Sequence, residues 1–314
     1  RDTCSNYDRI RTLVRRVHGV YADSSARLRD RLCGHARKHV TGDLSGDGAD
    51  EIMGGYRRFK MHLGEERVRS LLPLAFRRPV FGALGRLYPK ADWAPRVFRA
   101  KTTFQALAHE SADAYFQSVS LARDDMRRQL FSADFRAKLG GYNAVEVFRR
   151  HAVRAGTEDP LALIQYLDLK TYLVGDINTK VDRASMAHSL EVREPLMDHP
   201  LLEWMATLPS HFKMRRGEGK YLLKKAMSPY LPQDLLYRPK MGFRVPLSAW
   251  FRGPLRGHVR EALLGDRILQ AGIFDAACLR LIAEQHEKGL RDHSAVIWEL
   301  VMFDGFLKSM EPSR

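Results

Sequence analysis

Ser45-Gly46-Asp47-Gly48-Ala49-Asp50-Glu51-Ile52-Met53-Gly54-Gly55-Tyr56 is the stretch on which the reading of this chain turns. Four of its twelve positions are glycine, and three of the first seven are acidic. A Walker-type phosphate loop needs Gly-Lys-Ser/Thr after its glycines, and no lysine stands there. A calcium loop counted from Asp43 would accept Ser45, Asp47 and Gly48, but its twelfth position is Gly54 where a bidentate Glu is required. Two readings remain. The glycines can let backbone N–H groups cradle a phosphate while the carboxylates hold a cation. Alternatively, the stretch is a plain turn carrying exposed acids.

Around that loop the chain reads as a globular protein. Its 314 residues are 45% hydrophobic and 28% charged, which excludes a largely disordered chain. No apolar run is long enough for a membrane span, and no secretory signal is visible at the start. Three cysteines (Cys4, Cys33 and Cys278) give neither a disulfide framework nor a zinc pattern, so a reducing, cytoplasmic setting is expected. The net charge of +15 raises nucleic acid as a partner. However, 38 of the 52 basic residues are arginines scattered in pairs such as Arg15-Arg16, Arg77-Arg78 and Arg149-Arg150, without a basic tail or zinc-finger spacing. No nucleic-acid partner is expected.

The periodicity predicts a mostly helical chain with one or two strands near its start. Residues 7–38 carry helical spacing, and residues 61–150 are helical and amphipathic, broken by Pro73, Pro79, Pro89 and Pro95. A helix opens with Asp159 as N-cap and Pro160 in its first position. Others run over Thr179–Leu190, from Asp198 to before Pro209, and over residues 219–230, whereas residues 238–253 read as irregular. Val40-Thr41-Gly42-Asp43-Leu44 should be the strand feeding the loop, but Gly42 and Asp43 interrupt the apolar run that a buried parallel strand requires. Asp176 and Lys180, four apart, would form a surface pair worth about 0.3–0.5 kcal/mol if helical. His35 and His39 share a helical face without a third zinc ligand nearby.

The stretch Ser45–Tyr56 resembles the second signature of the asparagine synthetase family, the ATP-dependent amidating domain of glutamine-hydrolysing asparagine synthase. The likeness continues through Asp176–Ala187, Ser189–Asp198, Gly217–Lys220 and Arg238–Phe243, in the family's order over about two hundred residues. The later blocks are closest to bacterial amidotransferases encoded beside exopolysaccharide and exosortase genes. The resemblance implies a truncated α/β ATP-pyrophosphatase (adenine nucleotide alpha hydrolase-like) domain. Residues 1–60 would be the remnant of the nucleotide-binding core and residues 61–314 the mainly helical remainder. It implies that a carboxylate, aspartate by default, attacks the α-phosphate of ATP, and that ammonia from glutamine then displaces AMP. Asp50 would hold Mg²⁺, Lys220 would sit on the phosphates, Asp47 would act in forming the acyl-adenylate, and Ser45, Gly46 and Gly48 would line the nucleotide site. Lys180, Asp182, Arg183, Glu191 and Arg193 are the substrate-side candidates; Glu191 and Arg193 could equally form a structural ion pair. Arg238, Lys240 and Phe243 are expected in a loop packing over the helices.

The family also carries an N-terminal Cys glutaminase domain and an earlier Ser-Gly-Gly-x-Asp-Ser loop. Neither is found in the 44 residues before Ser45, so both are expected upstream, and this chain alone is expected to be inactive. A homodimer is compatible with the resemblance. The alternative is a non-catalytic helical binding module, or a decayed fragment, reusing the fold. Arg27, Arg29 and Asp30 break the apolar pattern expected just before the loop.

Overall fold

The computed structural model describes residues 21–88, 100–238 and 245–311, and these are predominantly helical. Pro160–Lys170 shows why. The Asp159 carboxylate accepts the Ala162 N–H at 2.8 Å and Pro160 occupies the first position, so the helix starts where the sequence places it. Leu161, Ile164 and Leu167 are then fully buried, packed with Phe59 of the helix Arg57–Leu71 and Tyr115 of the helix Ser111–Val119. A second core gathers Leu263, Ile268, Leu279, Ile297, Trp298 and Met302 from the C-terminal helices. Tyr21 and Ala26 belong to this second core, which ties the start of the described chain to its end.

Two short ladders stand among the helices. Strand β1 (Gly42–Leu44) pairs in parallel with β2 (Glu191–Arg193) in the register Gly42 to Glu191, Asp43 to Val192 and Leu44 to Arg193. All three residues of β1 are exposed, so the Gly and Asp that would have disrupted a buried strand are tolerated in this one. Strands β3 (Met214–Arg215) and β4 (Glu218–Gly219) form an antiparallel hairpin. Its two-residue connection, Arg216-Gly217, has φ of 51° and 79°. Positive φ at both positions is the backbone of a type I′ turn, whose twist matches the strands it joins.

The structure departs from the sequence expectations in four places. Pro79 does not break a helix but lies inside Leu74–Leu87. Its cost is confined to one missing N–H and a clash one turn back. Pro89 and Pro95 lie outside the described residues, as do most of residues 7–38; of that predicted helix the span Ala26–Ala36 is helical. Residues Leu173–Asn178 form a π-helix, so the four-residue spacing from Asp176 to Lys180 does not place the two on one α-helical face. The helix that follows, Thr179–Met186, stops short of Leu190 because Ser189 turns left-handed at φ 55°. Leu247–Arg252 is helical where an irregular segment was expected, and Lys240 and Phe243 lie outside the described residues. Among those residues no helix is long and apolar enough to cross a membrane.

Leu263 is fully buried at the centre of the second core. Leu263→Ala should lower unfolding free energy by about 2–5 kcal/mol, read from the urea midpoint at unchanged slope. A loss below half a kcal/mol would mean that this core is loosely packed.

Candidate active site

The loop begins where β1 ends. Ser45 donates its N–H to the Arg193 carbonyl at 2.8 Å, and Glu194 follows β2 just as Ser45 follows β1. Ser45, Asp47 and Glu194 thus gather at the carboxyl ends of a parallel pair, the position at which α/β folds bind ligands. The turn into the short helix Ala49–Ile52 is made by Gly48, at φ 86° and so close to Met197 that a Cβ would fall 2.2 Å from its Cγ. Asp47 is clamped from two sides. The Arg29 guanidinium donates to Oδ2 at 2.6 Å, and the Ser45 hydroxyl donates to the same oxygen at 2.5 Å. Glu194 has no hydrogen bond to its buried Oε1. Burial raises its pKa, Asp47 and Glu51 add to the rise, and Arg29 opposes it.

Lys220 comes to the loop from the far side of the sequence. The β3–β4 hairpin delivers it, and its N–H donates to the Met53 carbonyl at 2.8 Å. Its ammonium lies 3.1 Å from Asp50 Oδ1. Gly55 makes room for this pair: a Cβ there would sit 2.0 Å from Asp50 Oδ1 and 2.5 Å from Lys220 Cε. Lys220 itself is left-handed, at φ 57° and ψ 31°, a conformation costing a side-chain-bearing residue about 1–2 kcal/mol. Ile52, Met53 and Met205, with Leu222 and Leu223 against them, form the apolar cluster that joins the loop helix to the helix Tyr221–Met227.

Behind the loop lies a frame of buried polar pairs. Lys180, 7% exposed, donates to Asp23 at 2.5 Å and to the Ser25 hydroxyl at 3.1 Å, so its partner is Asp23 rather than Asp176. Burial would raise the Asp23 pKa, but Lys180 and Ser25 more than offset it and hold the carboxyl below its ordinary range. Tyr21 hydrogen-bonds Asp176 instead. Arg58 reaches Asp168 at 2.6 Å and the Tyr115 hydroxyl at 2.9 Å, its guanidinium stacked 3.7 Å from the Tyr56 ring and 4.6 Å from that of Tyr172. Burial opposes the charge on Arg58, yet Tyr115 and Asp168 raise its pKa overall. Tyr56 in turn donates to the buried Glu51 carboxylate at 2.5 Å, and burial pushes the Glu51 pKa up.

The remaining substrate-side candidates face outward. Asp182 and Arg183 are exposed on the helix Thr179–Met186, 3.8 Å apart. Glu191 and Arg193, on β2, form an ion pair at 2.9 Å with both side chains more than half exposed. His35 and His39 stand edge to face, 5.3 Å apart, and among the described residues no three His, Cys, Asp or Glu side chains converge on a metal position. Gly46 has open space where a side chain would be.

The sequence reading names Arg29 only as a break in the apolar pattern and Glu194 only within a family block, and it assigns neither of them, nor the Arg58–Asp168 pair, to the site. The charges that break the apolar pattern of Ala26–Ala36 each find a partner. Arg27 lies over the Trp250 ring at 4.8 Å, Arg29 holds Asp47, and Asp30 meets His188 at 3.0 Å. Their signal in the sequence was the anomaly itself, charge placed where a core face was due.

Comparison with known proteins identifies the family of the chain. The asparagine synthase family matches residues 4–308. A Mycobacterium bovis protein named "Putative asparagine synthetase (glutamine-hydrolyzing)" is 32% identical over 274 residues, covering 85% of this chain and 39% of its own length. Asparagine synthetase (glutamine-hydrolysing) 1 of Bacillus subtilis is 31% identical over 272 residues, covering 85% of this chain and 40% of its own. Amidase chry2 of Gibberella zeae is 22% identical over 253 residues, covering 74% of this chain and 36% of its own. The chain therefore spans about two fifths of the length of the curated relatives it matches. It belongs to the asparagine synthase family.

Two outcomes follow from the geometry. Lys220→Gly should leave the protein about 1 kcal/mol more stable than Lys220→Ala, since only glycine adopts φ 57° without strain. Equal urea midpoints for the two variants would show that the backbone there relaxes. Asp23→Ala, which strands a buried ammonium, should cost about 3 kcal/mol, and adding Lys180→Met should restore most of the loss. A double variant no more stable than Asp23→Ala would sink the ion-pair account.

Proposed function

We propose that this member of the asparagine synthase family contributes the nucleotide-facing part of an ATP-dependent amidating domain. The observation that carries the reading is the Asp50–Lys220 pair, held across Gly55 beside a loop that opens from the carboxyl end of β1. In an ATP-pyrophosphatase domain, residues 1–60 would supply that loop, and residues 61–314 would supply Lys180, β2 and Lys220.

The chemistry asked of these residues is set by charge. A carboxylate, aspartate by default, must approach the α-phosphate of ATP before ammonia, derived from glutamine, displaces AMP; pyrophosphate leaves in the first step. Lys220 stands ready to neutralise phosphate oxygens once its contact with Asp50 opens. Asp50 fits as a single carboxylate ligand of Mg²⁺, an ion that takes its other ligands largely from phosphates and water. Mg²⁺ would offset the repulsion between the two anions. Ser45, Gly46 and Gly48 would border the nucleotide, with Gly46 leaving its backbone open to it. Asp47, fixed by Arg29 and Ser45, would face the acyl-transfer step. Arg183 and Asp182, exposed on their helix, and Glu191 and Arg193, exposed on β2, would meet the acceptor or an adjoining surface.

Mg·ATP binding to the 314-residue chain tests the reading by calorimetric titration. Asp50→Asn and Lys220→Met should each weaken it by about tenfold, the loss of roughly one charged contact. Binding that is undetectable, or unchanged in both variants, would overturn it.

A further inference from the structure

Away from the loop, a hollow of about 360 Å³ opens between residues 120–122, the helix Asp124–Leu130, Phe274 and the helix Ser294–Met310. That is the small end of the range for small-molecule sites. Its walls are apolar, formed by Leu130, Leu300 and the rings of Phe131, Phe274 and Phe303. One carboxyl, Glu299, stands in this lining with neither a hydrogen bond nor an ion pair among the described residues. Burial pushes its pKa up to about 7, with Arg127 opposing.

The other polar groups of the lining are committed elsewhere. Arg127 is paired with Asp124, donates to the Asn143 side chain at 3.3 Å and lies over the Phe116 ring. The Ser120 hydroxyl donates to the Phe116 carbonyl at 2.8 Å. Beyond the wall, Asp275 accepts from the Cys278 N–H and Asp304 is paired with Arg267. Among the described residues, Glu299 is therefore the one polar side chain of this aromatic cavity without a partner.

That combination selects the ligand's chemistry. A neutral apolar molecule would strip the carboxyl of its remaining water and give nothing back. An anion would meet like charge. An ammonium group supplies both positive charge and N–H donors, its apolar body suits the walls, and phenyl faces attract a cation. We propose that this hollow binds a small organic ammonium ion with an apolar body, its charge held by Glu299. Ala22 lies in the wall between Tyr21 and Asp23, which hold Asp176 and Lys180, so a bound amine would rest against the frame behind the loop.

The site can be tested with 2-phenylethylamine and its uncharged analogue 2-phenylethanol, titrated into the full chain by calorimetry. At about pH 8, with Glu299 ionised, the amine should bind about tenfold more tightly than the alcohol, a difference that shrinks toward about pH 6 as the carboxyl takes up its proton. Glu299→Gln should abolish the preference and its pH dependence. The proposal fails if the unaltered chain binds alcohol and amine alike, if neither binds in the millimolar range, or if Glu299→Gln keeps the preference. The alcohol comparison needs no variant, so a misfolded Glu299→Gln would not shield the idea.

Discussion

The left-handed backbone at Lys220 is the constraint on which the arrangement around the loop depends. Holding a lysine at φ 57° costs about 1–2 kcal/mol, whereas a partly exposed ion pair such as Lys220–Asp50 returns only about 0.2–1 kcal/mol. The pair therefore does not hold the lysine in place. Other contacts do: the backbone bond from Lys220 to Met53, the two-residue turn at Arg216-Gly217, and the apolar cluster of Ile52, Met53 and Met205. A strained residue fixed by its surroundings, with its charge only loosely engaged, suits the phosphate-facing role proposed for Lys220.

Support from distant segments recurs behind the loop, there with firmly held charges. Strands β1 and β2 contribute three residues each, and all but Val192 of these are exposed, so the ladder alone cannot position the loop. Its two sides are instead braced by side chains from distant segments. Arg29 reaches Asp47 from the helix Ala26–Ala36, which packs on Thr179–Met186 through Cys33, Ala184 and Leu190. Lys180, on that second helix, returns to Asp23 just ahead of the first. Breaking one of these buried contacts leaves an unpaired charge, a larger penalty than any single surface pair supplies.

Local chemistry in the sequence reached as far as local chemistry acts. Asp159 and Pro160 announced their helix because a cap and its N–H donors lie within three residues, and the glycine-rich loop announced itself because its backbone demands are local. The resemblance of Gly217–Lys220 to a family block marked Lys220, and the left-handed Arg216-Gly217 turn explains how that block presents it. What stayed hidden are pairings between residues far apart in sequence, such as Arg58 with Asp168 and Arg29 with Asp47, which no periodicity encodes. The π-helix at Leu173–Asn178 was likewise hidden, because its hydrogen bonds span only one residue more than those of an α-helix.

The balance of charge around the loop bears on what can bind there. Asp47, Asp50, Glu51 and Glu194 lie together, and each of Glu51 and Glu194 is pushed toward its neutral form in part by another of these carboxylates. Among the described residues, the cations that touch these carboxylates, Arg29 and Lys220, are already engaged with Asp47 and Asp50. A polyphosphate brought to such a place meets net repulsion unless it arrives with positive charge of its own. The proposed role for Mg²⁺ answers that requirement: a divalent ion carried on the phosphates turns the carboxylates from an obstacle into partners and frees Lys220 for a phosphate oxygen. On this reading the acidic excess is what makes nucleotide binding conditional on the metal, and the lysine alone would not suffice.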